Sequence, residues 1–169
     1  KPERFREQMD WLHANGCKVI SLEELAGAIS HREELPRKTV VLTFDDSFED
    51  NYFNVFPVLK KYGFPATVFI ATDFIGKEQK NESTGILFKT LDWRQIKEMH
   101  KSGLIDFEPH TCSHRELLKI SLEEARKRAL QFHIPAYLAL GLDANKTNFY
   151  FQSENKEVMN HAYEFAKKI

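Results

Sequence analysis

Cysteine is almost missing from this chain, with Cys17 and Cys112 the only two in 169 residues. Two thiols so far apart supply neither a disulfide framework nor a four-thiolate zinc site. Long apolar runs are missing too. No stretch approaches the roughly 20 residues of a membrane-spanning helix, and no signal-peptide pattern is visible. Neither sign of charge is in excess: 24 Lys and Arg stand against 25 Asp and Glu, a formal net charge of −1. That excludes a polybasic protein that holds nucleic acid by bulk electrostatics. Repeats, low-complexity linkers and a Gly-rich loop able to cradle phosphate are absent as well. The first residue is Lys1 rather than Met, so the compartment stays open.

What is there has the balance of a soluble globular domain, with 42% hydrophobic and 29% charged residues. The length suits one domain, 1–169, with a real core. Fourteen Phe are expected to lie mostly inside it. Helix and strand patterns alternate from end to end. Phe5, Met9 and Leu12 recur at helical spacing within Arg4 to Asn15, and Gly16 stops that helix. Cys17 to Ile20 reads as a strand. Ser21 and Glu24 form a capping box, as do Ser121 and Glu124. Thr39 to Phe44 is β-branched and apolar throughout, the pattern of a strand covered on both faces. Asp50 to Tyr62 would put Phe53, Phe56 and Leu59 on one helix face, with Pro57 marking a kink or a late start. Ala66 to Ala71 is a second buried strand. Phe74 to Leu91 reads as a long polar loop. Asp92 to Ser102 reads as a capped helix with Trp93, Ile96 and Met99 on one side. Leu104 to Phe107 is a third strand, Phe149 to Phe151 a short one, and Glu154 to Lys168 a last amphipathic helix. This alternation implies a parallel sheet or barrel with right-handed crossovers, in which functional groups collect where strands end.

Two segments stand at such ends: Thr43-Phe44-Asp45-Asp46-Ser47 and, about 65 residues later, His110-Thr111-Cys112-Ser113-His114. A helical turn would bring His110 and His114 to one face. Two imidazoles and one carboxylate, from Asp45 or Asp46, make three protein ligands and leave a position for water. The second carboxylate would then be free to act as a base. Taken alone, an Asp-Asp pair after a strand is as often a turn device, and a lone His-x-x-x-His pair is more often incidental. Their conjunction at strand ends is what points to metal-assisted hydrolysis. Cys112, between the histidines, is read as a small packing residue rather than a ligand.

The run VVLTFDDSFEDNYFNVFPVLKKYGFPATVFIATDFIG, Val40 to Gly76, resembles the polysaccharide deacetylase family, also called the NodB-homology domain or carbohydrate esterase family 4. The family's TFDD motif, followed by Gly or Ser, is similar to Thr43 to Ser47. Its His-Ser/Thr-x-x-His motif is similar to His110 to His114, and Leu91 to Gly103 resembles the helix between them. The resemblance implies a distorted (β/α) barrel, usually of seven strands and TIM-barrel-like. It implies that Asp45 is the general base, that Asp46, His110 and His114 bind a divalent metal, most often zinc (cobalt, manganese or nickel being alternatives), and that Thr111 steadies the histidine loop. The implied reaction is removal of N-acetyl, sometimes O-acetyl, groups from an acetylated glycan. An extracytoplasmic or cell-envelope location goes with it.

The chain departs from the family pattern in two places. The aromatic-Pro-aromatic-Gly motif falls on Phe149-Tyr150-Phe151-Gln152-Ser153, without its Pro and Gly, where Tyr150 is the candidate to line a sugar site. The family's general acid, a His on a late strand, has no counterpart before Ile169, since His133 and His161 lie in helical stretches. The domain is therefore expected to lack the family's last strands. Two other activities fit the same residues: hydrolysis of a small non-glycan amide, and catalytically silent glycan binding. An Asp-based phosphohydrolase fits least.

Overall fold

In the computed structural model the described residues are 1–80, 85–111, 113–114, 121 and 123–124. Phe149 to Phe151, Tyr150, the last amphipathic helix, His133, His161 and Cys112 lie outside them. The described residues fall into two units. One holds Lys1–Ile70 and Phe74–Glu108; the other holds Ala71–Asp73 and the residues from Pro109 onward.

The first unit opens with α1 (Pro2–Ala14), in which Pro2 occupies the first turn, where no N–H is needed. Met9 is buried and Phe5 and Leu12 half-buried, the expected face. β1 (Lys18–Ile20) leads into α2 (Leu22–His31) through the expected reciprocal cap. Ser21 Oγ accepts the Glu24 N–H at 3.0 Å, and the Glu24 carboxylate accepts the Ser21 N–H at 3.0 Å.

The run from Thr39 to Phe44 is two strands rather than one: β2 (Thr39–Val41) and β3 (Thr43–Phe44). The reason is a change of partner at Leu42. β2 pairs in parallel with β1, Lys18 opposite Thr39, whereas β3 pairs in parallel with β4 (Ala66–Ile70), Thr43 opposite Thr67. The Leu42 carbonyl accepts the Thr67 N–H at 3.0 Å. Only β4 has the burial expected of the Thr39–Phe44 run; β2 is half-buried and Thr43 is exposed.

The next helix also departs from simple periodicity. Asn51–Val55 is π-helical, and α3 (Phe56–Tyr62) begins only then, with Pro57 in its first turn. Pro57 cannot donate to a carbonyl one α-turn back. The wider turn uses the Phe56 N–H instead, donated to the Asn51 carbonyl. Because a π turn advances the helix face more slowly per residue, Phe53 leaves the expected core stripe and is 59% exposed. Phe56 and Leu59 are buried as expected, and Val55 and Val58 join them. Gly63, at φ 64°, ends α3 in the left-handed region that glycine adopts without cost.

The expected polar loop contains structure. A short 3-10 turn (Thr72–Phe74) is followed by an antiparallel hairpin of β5 (Glu78–Lys80) and β6 (Leu87–Lys89), with Gln79 opposite Phe88. Its base is tied by Thr90, which is buried: the hydroxyl lies within hydrogen-bonding distance of the Phe74 and Lys77 carbonyls and accepts the Lys77 N–H. β5 is polar throughout and β6 is only three residues long, so neither carries the apolar pattern of a strand. Then come α4 (Trp93–Lys101) and β7 (Ile105–Pro109). On α4 the buried residues are Gln95, Ile96 and Met99, while Trp93 is exposed.

The sheets are β1-β2, β3-β4-β7 and β5-β6. This is a mixed α/β fold, with no closed barrel among the described residues. Its core is aliphatic: Ile20, Leu59, Val68, Ile70, Leu91, Ile96 and Ile105, with Met99, are each at most 1% exposed. Of the described phenylalanines only Phe56, Phe64 and Phe107 are buried. The others are half-buried, apart from the exposed Phe53, and some pack ring against ring, as in the edge-on pair Phe5–Phe44.

On β7, burial pushes the Glu108 carboxyl up to about 7, and the charge of Asp106 adds to it. A raised carboxyl value means that the folded chain binds the proton more tightly than the unfolded chain does. Stability should therefore fall as pH rises from the ordinary value of 4.5 towards about 7. Denaturation midpoints at pH 5 and pH 8 check this, and Glu108→Gln should flatten the difference.

Candidate metal centre and the loops that hold it

Asp45 and Asp46 leave the end of β3 as the chain turns sharply. Asp46 and Ser47 both lie at positive φ, 66° and 56°. Non-glycine residues cost about 1–3 kcal/mol each in such conformations and persist only where surroundings over-determine them. Here the surroundings are backbone. The Ser47 carbonyl accepts the Leu91 N–H at 2.8 Å, and Glu49 donates its N–H to the Lys89 carbonyl at 2.9 Å. Phe48 forms an isolated antiparallel bridge with Thr90. Ser47 is fully buried, Asp46 half-buried and Asp45 exposed.

A second clamp comes from the N-terminus of α4. Asp92 Oδ1 accepts the Gln95 N–H at 2.7 Å, while Gln95 Oε1 accepts the Asp92 N–H at 2.8 Å. The remaining Gln95 amide donates through Nε2 to Glu49 at 3.0 Å. Gln95 is 2% exposed, so a capping residue doubles as a strut for the loop after the aspartates. Sequence reasoning treated Asp92 as a helix cap and missed this role. The only available signal was a glutamine at the third helical position on the buried side of α4.

In the other unit, the His110 and His114 rings lie 4.9 Å apart, tilted by 46°. No helical turn brings them together. Thr111 and His114 have φ of 62° and 49°, which a right-handed helix does not admit. The bend is held by Thr111, whose Oγ1 accepts the His114 N–H at 3.0 Å, the steadying role expected of it. Further on, Ser121 Oγ accepts the Glu124 N–H at 3.1 Å, one half of the expected capping box.

Asp46, His110 and His114 each offer one ligand atom, and these atoms lie within 4.8 Å of one another. Two imidazole nitrogens and one carboxylate oxygen are a donor set suited to a divalent cation, with coordination left over for water. The group can hold a metal ion. Asp45 is not part of it. Of the non-glycine residues at positive φ, four fall in the two motif segments: Asp46, Ser47, Thr111 and His114. Local strain thus coincides with the candidate ligands.

The family model described as polysaccharide deacetylase matches residues 32–133, more than half of the chain. The chain belongs to the polysaccharide deacetylase family. It is similar to a poly-beta-1,6-N-acetyl-D-glucosamine N-deacetylase of Staphylococcus epidermidis, 38% identical over 111 residues, which cover 64% of this chain and 36% of that protein. A protein of the same name from Staphylococcus aureus is 36% identical over 119 residues, 69% of this chain and 38% of its own length. The chain thus spans little more than a third of these curated relatives. Among solved structures it is similar to IcaB from Ammonifex degensii, with a TM-score of 0.74 and 26% identity over 95% of this chain and 72% of that one. It is also similar to the Streptococcus pyogenes deacetylase PplD in complex with acetate, with a TM-score of 0.73 and 26% identity over 94% of this chain and 68% of that one. The family's Gly or Ser after TFDD has a reason here, since that position takes a left-handed φ in a buried turn.

Two substitutions probe the clamps. Gln95→Ala removes the acceptor of the Asp92 N–H and the donor to Glu49, while the backbone N–H of residue 95 still reaches Asp92, and should cost about 1–3 kcal/mol in urea denaturation. Ser47→Gly should be tolerated, whereas Ser47→Val, β-branched at positive φ without free space, should lose on the order of 2 kcal/mol or more by thermal unfolding.

Proposed function

We propose that this protein is a metal-dependent hydrolase that removes N-acetyl groups from a glycan containing N-acetylglucosamine. The observation that carries the reading is the grouping of Asp46, His110 and His114, with the adjacent carboxylate of Asp45 exposed and outside the group. The two relatives named as N-deacetylases favour an amide over an ester substrate. The similar PplD structure contains acetate, the acid that deacetylation releases.

In this reading Asp46, His110 and His114 hold the cation, the histidines binding as neutral imidazoles. When bound, a divalent ion, with zinc first and cobalt, manganese or nickel as alternatives, lowers the pKa of water and polarises the acetyl carbonyl. Asp45 takes the proton of the attacking water, acting as general base. The water oxygen bonds to the acetyl carbon, the proton taken by Asp45 passes to the nitrogen, and the C–N bond breaks, leaving acetate and a sugar amine. Thr111 and Ser47 act indirectly, by fixing the bends that carry the ligands. Tyr150 remains the candidate to line the sugar site. The family's (β/α) barrel and an extracytoplasmic place of action belong to the same proposal.

The test is acetate release from N-acetylglucosamine oligomers with zinc supplied, compared with the chelated protein and with a panel of small amides. Turnover on the oligomers alone, abolished by chelation, is the expected result. Asp45→Asn should lower turnover by at least about a hundredfold while metal content by elemental analysis stays unchanged. His110→Ala and His114→Ala should reduce metal content itself. An active Asp45→Asn protein would overturn the assignment of the base.

A further inference from the structure

An open groove of about 490 Å³ lies in the first unit, beside the loop that carries the aspartates. Its size falls within the range of small-molecule sites, about 300–1,000 Å³. Phe48, Phe53 and Phe88 line it together with Asp50, Asn51 and Asn54. None of these six was read from the sequence as a site residue.

Three features separate this groove from an ordinary surface dent. First, its aromatic wall is fixed: Phe48 and Phe88 pack edge to face, 4.8 Å between ring centroids, across the bridge and hydrogen bonds that join 47–49 to 89–91. Second, Phe53 is presented to solvent at 59% exposure by the π-helical turn, and such turns are frequent at functional sites. Third, Asn51, only 5% exposed, keeps an Nδ2 donor with no hydrogen-bond partner. A buried donor left unsatisfied costs about 1–3 kcal/mol, so the wall at Asn51 carries that cost, with the nitrogen itself beneath the surface. Beside it the Asp50 carboxylate accepts a hydrogen bond from the Asn54 amide.

Aromatic faces flanked by amides and a carboxylate suit a pyranose ring, whose C–H faces lie on aromatic carbon while its hydroxyls meet the polar rim. The charges lining the groove are two carboxylates, Glu49 and Asp50, against Lys89, which disfavours an anionic sugar. Phe48 follows Asp46 by two residues, so the groove begins within about 7 Å of chain from a candidate ligand. The geometry points to a subsite for an uncharged hexosamine unit of the glycan, one that neighbours the unit being deacetylated. This inference rests on the deacetylase reading and adds to it the place where the polymer outside the reacting unit is gripped.

The test measures binding and turnover separately on the full chain. The Kd of an N-acetylglucosamine pentamer is measured by calorimetry in the presence of chelator, and acetate release is measured with zinc. Phe53→Ala and Phe88→Ala should each weaken pentamer binding about tenfold, whereas Trp11→Ala, an equally exposed aromatic remote in sequence from the groove, should not. Phe53 is exposed enough that its truncation leaves folding intact, and circular dichroism of each variant verifies this. Unchanged pentamer affinity in both Phe variants, with acetate still released by the wild type, would overturn the subsite and leave the deacetylase reading standing. Phe53-dependent binding without acetate release would do the reverse. Failure of the wild type to bind the pentamer at all would overturn the subsite.

Discussion

Leu91 donating to the Ser47 carbonyl, and Glu49 donating to the carbonyl of Lys89, are the hydrogen bonds on which the loop after β3 depends. They hold two consecutive left-handed residues, Asp46 and Ser47, in a conformation that a free chain abandons. Without that turn, Asp46 would continue the direction of β3. The strain is local and the restraint is not: its partners come from the strand and helix start some 40 residues further along. Gln95 extends the same logic with side-chain atoms, since one residue completes the cap of α4 and braces Glu49.

The histidine segment follows the same rule with different means. His110 leaves β7 at Pro109, and the left-handed Thr111 and His114 form a bend in which a threonine hydroxyl accepts the second histidine's N–H. Both segments thus carry candidate ligands on backbone that is unfavourable unless held. Loops built this way keep ligand side chains nearly fixed before a cation arrives, which lowers the ordering cost of binding.

The aromatic residues are distributed by the same restraints. Branched aliphatics, methionine and Phe107 fill the space around β4, β7 and α4, and most other described phenylalanines stay partly exposed. The π-helical turn moves Phe53 outward, and the Phe48–Phe88 pair closes over the bridge between loop and hairpin. A residue pattern that resembles helix core becomes a groove wall once Pro57 denies the α-helical hydrogen bond before it.

Much of the site was legible in the residues themselves. The caps at Ser21 and Asp92 and the glycine that ends α3 depend on interactions within three or four positions, so local sequence determines them. The identity of the ligand candidates was legible for the same reason: Asp45-Asp46 and His110-x-x-x-His114 are short patterns that chemistry already restricts. Tertiary structure alone decided the split of Thr39 to Phe44 into two strands, the hairpin within the supposed loop and the left-handed turn at Asp46 and Ser47. Each of these rests on hydrogen bonds to partners distant in sequence, or on a backbone conformation that only such partners sustain, and neither leaves a mark in a short window of residues.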